Sequence, residues 1–94
     1  METINANIRV VRHEVQQVTG YLYDIQGIQV LLHPDIDIPD KFACTEYTTG
    51  KSLMKKKDTM QEALDATSAR IFEKGPDVVQ QTVQDIIKKS GAVN

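Results

Sequence analysis

The feature that most constrains the fold is a pair of alternating apolar stretches that meet at Gln26-Gly27. Alternation places every second side chain on one face of a strand. Glycine accepts the positive φ that a two-residue turn requires. The sequence therefore predicts a β-hairpin over residues 21–33, with these apolar side chains sharing faces: Tyr21, Tyr23, Ile25, Ile28, Val30 and Leu32.

The residues after the hairpin predict one or two further strands. Pro34 and Pro39 bracket an acidic stretch that reads as a loop or an edge. Residues 41–48 predict a third strand, Thr49-Gly50 a turn, and residues 51–54 a short fourth strand.

Two helices are predicted to follow. Thr59 and Glu62 form a capping box, in which the threonine hydroxyl accepts a hydrogen bond from the third helical residue. Lys74-Gly75-Pro76 ends this helix and begins another over residues 76–89. Gly91 caps the second helix.

The N-terminal segment allows two interpretations. A 4-3-4-3 spacing of apolar residues favours a helix that ends at Gly20, although their β-branched side chains favour a strand: Ile4, Ile8, Val11, Val15 and Val18. With the helix preferred, the order is α-β-β-β-(β)-α-α. We therefore expect one α+β domain over residues 1–94, with three or four antiparallel strands and helices on one face.

Size and composition narrow the functional classes. A chain of 94 residues without tryptophan builds a small core, which dimerisation would enlarge. Cys44 is the only cysteine, so no internal disulfide can form. With no apolar leader segment at the N-terminus and no membrane-length apolar run, a cytoplasmic location is expected. The net charge of −2 argues against a dedicated nucleic-acid binder.

Positive charge is nevertheless concentrated just before the first predicted C-terminal helix, in Lys51, Lys55, Lys56 and Lys57. Gly50-Lys51-Ser52 matches the end of a phosphate-binding P-loop, but the required upstream glycine is replaced by Thr45. These four lysines are the candidate nucleic-acid-binding residues, because a helix N-terminus with lysines attracts phosphate. The alternative is a solvated loop that keeps an edge strand from pairing.

Catalytic and metal sites receive less support. Cys44 and His33 would form a dyad only if they lay beside each other on neighbouring strands, and a buried strand cysteine is commonly inert. Asp35, Asp37 and Asp40 lack the glycine and glutamate of a calcium loop. Adding His13 gives only three zinc ligands, at unmatched spacing. We predict no catalytic residue, no cofactor and no metal.

Three resemblances bear on function. Lys56 and Lys57 before a helix, in an α-β-β-β-α order, resemble a double-stranded-RNA-binding domain, which implies RNA binding. The pattern Thr59-x-x-Glu62-Ala63-Leu64, with Pro34-Asp35, is similar to antitoxins of the HicB type, which have a partial ribonuclease-H-like fold. A strand–TEYTTG–strand unit before T-x-x-E-A-L is similar to small uncharacterised prophage proteins of Gram-positive bacteria, which implies no particular activity.

The functional expectation is a small non-enzymatic binding module, for a protein partner or for self-association as a homodimer. It rests on a thin sheet with one uncovered face and on the lack of a credible active site. The alternative is nucleic-acid binding through the four lysines. No membrane association is expected.

Overall fold

The structure, a computed structural model, describes residues 2–11 and 14–94. Five antiparallel strands follow one another in the order of the chain, and two helices come after them. The elements are β1 (Ile4–Arg9), β2 (Val15–Ile25), β3 (Ile28–Pro34), β4 (Phe42–Glu46), β5 (Ser52–Lys57), α1 (Met60–Lys74) and α2 (Pro76–Ser90). The α+β class is confirmed, with five strands instead of three or four.

The predicted N-terminal helix is wrong. Ile4–Arg9 is a strand that pairs with β2 from Ile4 opposite Gly20 to Arg9 opposite Val15. Ala6 and Ile8 are buried two residues apart, which is the period of a strand. Ile4 and Ile8 are four residues apart, a spacing that fits one face of a helix and one face of a strand. The β-branched composition, which favours a strand, was therefore the better indicator here. Residues 12 and 13, which the helix would have included, lie outside the described residues.

Gly20 does not end an element but lies within the long strand β2. A Cβ atom at this position would lie 2.3 Å from the carbonyl oxygen of Leu32. Up to Gly20 the strand pairs with β1, and from Tyr21 onwards it pairs with β3. We call β1, the following residues 10–11, and the paired part of β2, residues 15–20, the arm.

The hairpin predicted around Gln26-Gly27 is confirmed. Ile25 pairs with Ile28, and both turn residues have positive φ, 53° at Gln26 and 86° at Gly27. Two positive φ values characterise the turn whose twist matches antiparallel strands. Asp24 supports this turn through its Oδ1, which accepts a hydrogen bond from the Gly27 amide at 2.9 Å.

The helices cover one face of the sheet. The Thr59 hydroxyl accepts a hydrogen bond from the Glu62 amide, as the capping box predicts. Gly75 and Gly91 follow the last residues of the two helices, and both have positive φ. The main core between helices and sheet contains Ile28, Val30, Leu32, Cys44, Ala63, Ile71 and Val79.

The other face of the sheet is covered by the arm, so the expected open face is wrong. Leu31 points away from the helices and packs with Ala6 and Ile8 of the arm. Val10, Val18 and Tyr47 surround this second, smaller cluster. The sheet therefore separates two clusters of buried apolar side chains.

The two outermost strands of the sheet, β1 and β5, contribute side chains to one common cavity. The Arg9 amide donates to the Gly50 carbonyl at 2.8 Å, where the β4–β5 turn meets β1. Near the chain end, the side chain of Asn94 both accepts from the Asn7 amide and donates to the Asn7 carbonyl. We call the gap between β1 and β5 the seam.

Of the helices that the structure describes, neither is long and apolar enough to cross a membrane.

Candidate functional site: the seam cleft

The seam opens into a cleft of about 330 Å³, which we call the seam cleft. One wall comes from the arm and the β3–β4 loop, and it combines apolar side chains with the charged side chains of Arg9, Asp35 and Asp37. The opposite wall comes from the start of β5 and carries positive charge. The floor is the arm-facing side of β3 and β4. Val10, Val11 and Ile36 belong to the first wall, and Lys51, Ser52 and Lys55 to the second. His33, Ala43 and Thr45 belong to the floor.

His33 lies at the floor with both ring nitrogens in hydrogen bonds. Nδ1 is 2.7 Å from the Pro34 carbonyl oxygen, and Nε2 is 2.8 Å from the Thr45 hydroxyl. A carbonyl can only accept, so Nδ1 carries the proton, and in the neutral ring Nε2 accepts from Thr45. Burial lowers the pKa of His33, against smaller opposing effects of the Pro34 carbonyl and the Asp35 carboxylate. The ring is therefore neutral at pH 7.

Asp35 is buried beside His33 and organises the loop after β3. Its Oδ1 accepts from the amides of Asp37 at 2.9 Å and Ile38 at 3.1 Å. Its Oδ2 accepts from the Lys56 amide at 3.0 Å. Burial acts to raise the pKa of Asp35, but the three amides outweigh it and leave the pKa below its ordinary value. The carboxylate ties the loop to β5.

The four predicted lysines do not form one cluster at a helix N-terminus. Lys51 and Lys55 line the seam cleft. Lys55 and Lys56 together lie opposite the single residue Ala43, in a β-bulge where Lys56 has a φ of 58°. Lys57 pairs with Phe42. The sequence places these lysines in a loop, but three of the four belong to the edge strand β5.

The α1 N-terminus is also unsuited to phosphate. Lys41 and Asp58 form an ion pair beside it. Glu62 lies in the first helical turn. These acids already occupy the positive end of the helix dipole.

Gly50-Lys51-Ser52 forms the turn and start of a strand, not a P-loop. Glu46 is buried beneath this turn, and its carboxylate accepts from the Thr48 amide and from both the amide and hydroxyl of Thr49. Gly50 has a φ of 72°, and a Cβ there would lie 2.8 Å from the Arg9 amide nitrogen. The glycine thus serves the close approach to β1.

Cys44 and His33 lie on opposite faces of the sheet, so the dyad is excluded. Cys44 pairs with Leu32 and points into the main core, where its Sγ lies 3.6 Å from the Ala63 carbonyl oxygen. His33 pairs with Ala43 and points to the arm. Burial raises the pKa of the Cys44 thiol, which keeps it protonated. His13 lies outside the described residues.

Across residues 2–11 and 14–94, no group of three or more histidine, cysteine, aspartate or glutamate side chains could hold a metal ion. In particular, the carboxylate of Asp35 is turned towards backbone amides, away from Asp37 and Asp40, which are both exposed.

The apolar wall of the cleft is what the sequence interpretation missed. The predicted helix includes Val10 and Val11, whereas the structure places both after the end of β1. Val11 is 80% exposed at the end of the arm. Its exposure depends on the fold of the arm, which no local pattern specifies.

Comparison of the chain with protein-family models, curated proteins and solved structures finds no match.

Proposed function

We propose that this chain is a small binding module without catalytic activity, and that its seam cleft holds an extended segment of a partner protein. The carrying observation is that the cleft joins an edge strand with Lys51 and Lys55 to a wall of valine and isoleucine side chains. Arg9, Asp35 and Asp37 also line it, so basic side chains outnumber acidic ones by three to two. A partner segment that combines apolar and acidic side chains fits both walls.

The edge of β5 supplies the backbone part of this interaction. Alternate residues of an edge strand have N–H and C=O groups that no neighbouring strand uses. A peptide that adds to such an edge gains main-chain hydrogen bonds, while its side chains enter the flanking pockets. The seam cleft is one such pocket, because Ser52 and Lys55 of β5 line it directly.

The positive charge of β5 favours a partner segment that carries negative charge. Three of its six residues are lysine, and Lys51 precedes it immediately. Two copies of this edge would repel each other, and the bulge at Lys55 and Lys56 further disfavours regular pairing between them. An acidic segment would instead be attracted.

The absence of catalysis in this proposal rests on what the reactive side chains already do. The Cys44 thiol is buried against a helix carbonyl. Both nitrogens of His33 are engaged with the chain itself. A substrate could bind either side chain only by breaking these contacts within the chain.

Nucleic acid is the second candidate, because phosphates would also be attracted to Lys51 and Lys55. The apolar wall of Val10, Val11 and Ile36 favours the protein partner, since phosphate contacts have no use for it.

The test is an amide NMR titration with a short peptide of alternating valine and glutamate. The same peptide with lysine in place of glutamate is a control, and single-stranded and duplex oligonucleotides are run in parallel. We expect shifts in residues 51–57 and 8–11 with the acidic peptide alone, weakening with salt. Lys55→Glu should abolish them, whereas Lys88→Glu, the same charge change on an exposed residue outside the cleft, should preserve them. No shift with the acidic peptide refutes the proposal, and shifts with the oligonucleotides alone assign the cleft to nucleic acid.

A further inference from the structure

A second groove lies on the helix side of the sheet, between α1, α2 and the β4–β5 turn. It has a volume of about 220 Å³, and we call it the helix groove. Its apolar lining consists of Leu53, Ile71, Val78, Val79, Val83 and Ile86. Its charged lining includes Lys51, Arg70 and Lys74.

The cations of the helix groove have no acidic partner among the described residues. Glu46 is the acid that lines the groove, but its two oxygens accept three hydrogen bonds from the turn. The ion pair found in residues 2–11 and 14–94 is that of Lys41 with Asp58, away from the groove. A ligand for this groove should therefore be apolar and negatively charged.

The β3–β4 loop of the same chain has this chemistry. Ile36 is 36% and Ile38 40% exposed, and Asp37 and Asp40 are exposed between and beyond them. We call residues 36–40 the acidic loop.

The acidic loop is held in shape before any contact is made. Asp35 Oδ1 accepts from the amides of Asp37 and Ile38, and the Lys41 amide donates to the Ile38 carbonyl at 2.8 Å. Asp35 and Lys41 are joined across the loop base by a 2.9 Å backbone hydrogen bond. A preformed loop loses little conformational entropy when it binds.

The acidic loop and the helix groove lie at opposite ends of β4. The loop ends just before Phe42, whereas the groove is lined by Glu46 and by Thr49 of the following turn. A chain cannot insert its own loop into its own groove across the length of this strand. Two copies can, with each copy offering one end.

We propose that the helix groove binds the acidic loop of a second copy, so that copies associate head to tail. The contact joins two different surfaces, and such contacts produce rings when the rotation closes and open chains when it does not. The contact is small, which makes it a weak interaction that becomes visible at high protein concentration. The two proposals share surface, because Lys51 lines both cavities and the acidic loop also borders the seam cleft through Ile36 and Asp37. Lys55 lines the seam cleft alone, so its variant distinguishes the two proposals.

The test is sedimentation velocity over a concentration series, on wild type and on two double variants. The first, Asp37→Lys with Asp40→Lys, reverses the charge of the acidic loop. The second, Arg70→Glu with Lys74→Glu, reverses the charge of the helix groove. We expect the sedimentation coefficient of wild type to rise with concentration, and both variants to remain monomers. A mixture of the two variants should form a dimer and nothing larger, since each has one intact surface.

Two further measurements complete the test. Asp65→Lys, on an exposed residue of α1 that lines neither groove, should associate as wild type does. An NMR dilution series of wild type should shift amides of residues 36–40 and 70–86 together, and it requires no variant to fold. Lys55→Glu should leave the association unchanged, so failure of the seam proposal would not affect this one. A wild-type chain that stays monomeric to about 1 mM, or a mixture that forms no dimer, would overturn the inference.

Discussion

The replacement Asp35→Asn tests the organisation of the loop and of β5 with one atom changed. In wild type, Asp35 Oδ1 accepts hydrogen bonds from the amides of Asp37 and Ile38. The side-chain oxygen of asparagine can accept the same two bonds. Asparagine puts an NH2 group where Oδ2 accepts from the Lys56 amide at 3.0 Å. Two donors then face each other in a buried place. We expect a marked loss of stability with the fold retained.

The size of this loss can be worked out from the bonds. A hydrogen bond to a charged group contributes about 1.5–3 kcal/mol, and a buried donor left unpaired costs about 1–3 kcal/mol. The lost hydrogen bond and the unpaired donor are partly the same effect, so the two costs do not add in full. Asp35→Asn should therefore lower the free energy of unfolding by about 2–4 kcal/mol. Domains of this kind have roughly 5–15 kcal/mol in total. The melting temperature should fall by about 10 °C or more.

Urea unfolding at several pH values is the appropriate assay. The folded pKa of Asp35 lies below its ordinary value of 3.8, so the carboxylate stabilises the fold fully above that pH. The stabilisation is lost as the pH falls through the lower folded value. The difference between wild type and Asp35→Asn should therefore be constant near neutrality and shrink in acid.

Asp37→Asn is the matched control. Asp37 is exposed on the same loop, so this variant should stay within about 0.5 kcal/mol of wild type. If Asp35→Asn unfolds at the same urea concentration as Asp37→Asn, the three amide bonds do not organise the loop and our reasoning is wrong.

Three other predictions follow from single contacts. Burial lowers the pKa of His33, so stability should be full above 6.5 and decline as the pH falls from there through the folded pKa; an unchanged urea midpoint between pH 7 and 5 would contradict this. Gly20→Ala should prevent folding or lower the melting temperature severely, because its Cβ would lie 2.3 Å from the Leu32 carbonyl oxygen, whereas Gly27→Ala meets open space and should cost about 1 kcal/mol. Cys44 should react with iodoacetamide only after denaturation, since it is fully buried and burial raises its pKa; rapid labelling of the folded chain would show otherwise.

Local patterns predicted the elements that depend on local chemistry. The turn at Gln26-Gly27 and the cap at Thr59 were identified because their residue types suit only a few backbone conformations. The first strand was not predicted, since the spacing of Ile4 and Ile8 fits both a helix and a strand. Ala6 is buried, but alanine alone does not indicate a strand.

The seam cleft depends on contacts between residues far apart in the chain. Its basic wall was visible in the sequence as four lysines, but their distribution along an edge strand follows from the bulge at Lys55 and Lys56. The roles of Asp35 and Glu46 as acceptors for backbone amides were also not predictable, because they require the loop and turn to be formed. Spacing in the sequence cannot supply these distances.

The sheet that separates two buried clusters also has a consequence for folding. Every strand pairs with its neighbour in sequence, so hairpins can form one after another with short loops to close. The arm adds Ala6 and Ile8 to a small cluster, and its outer edge is held by hydrogen bonds of Asn7 and Arg9 to residues 49–50 and 90–94. Such a unit can detach while the helices and the other strands stay folded. Amide hydrogens of β1 should thus exchange through this partial opening, and those of β3 only when the whole domain unfolds.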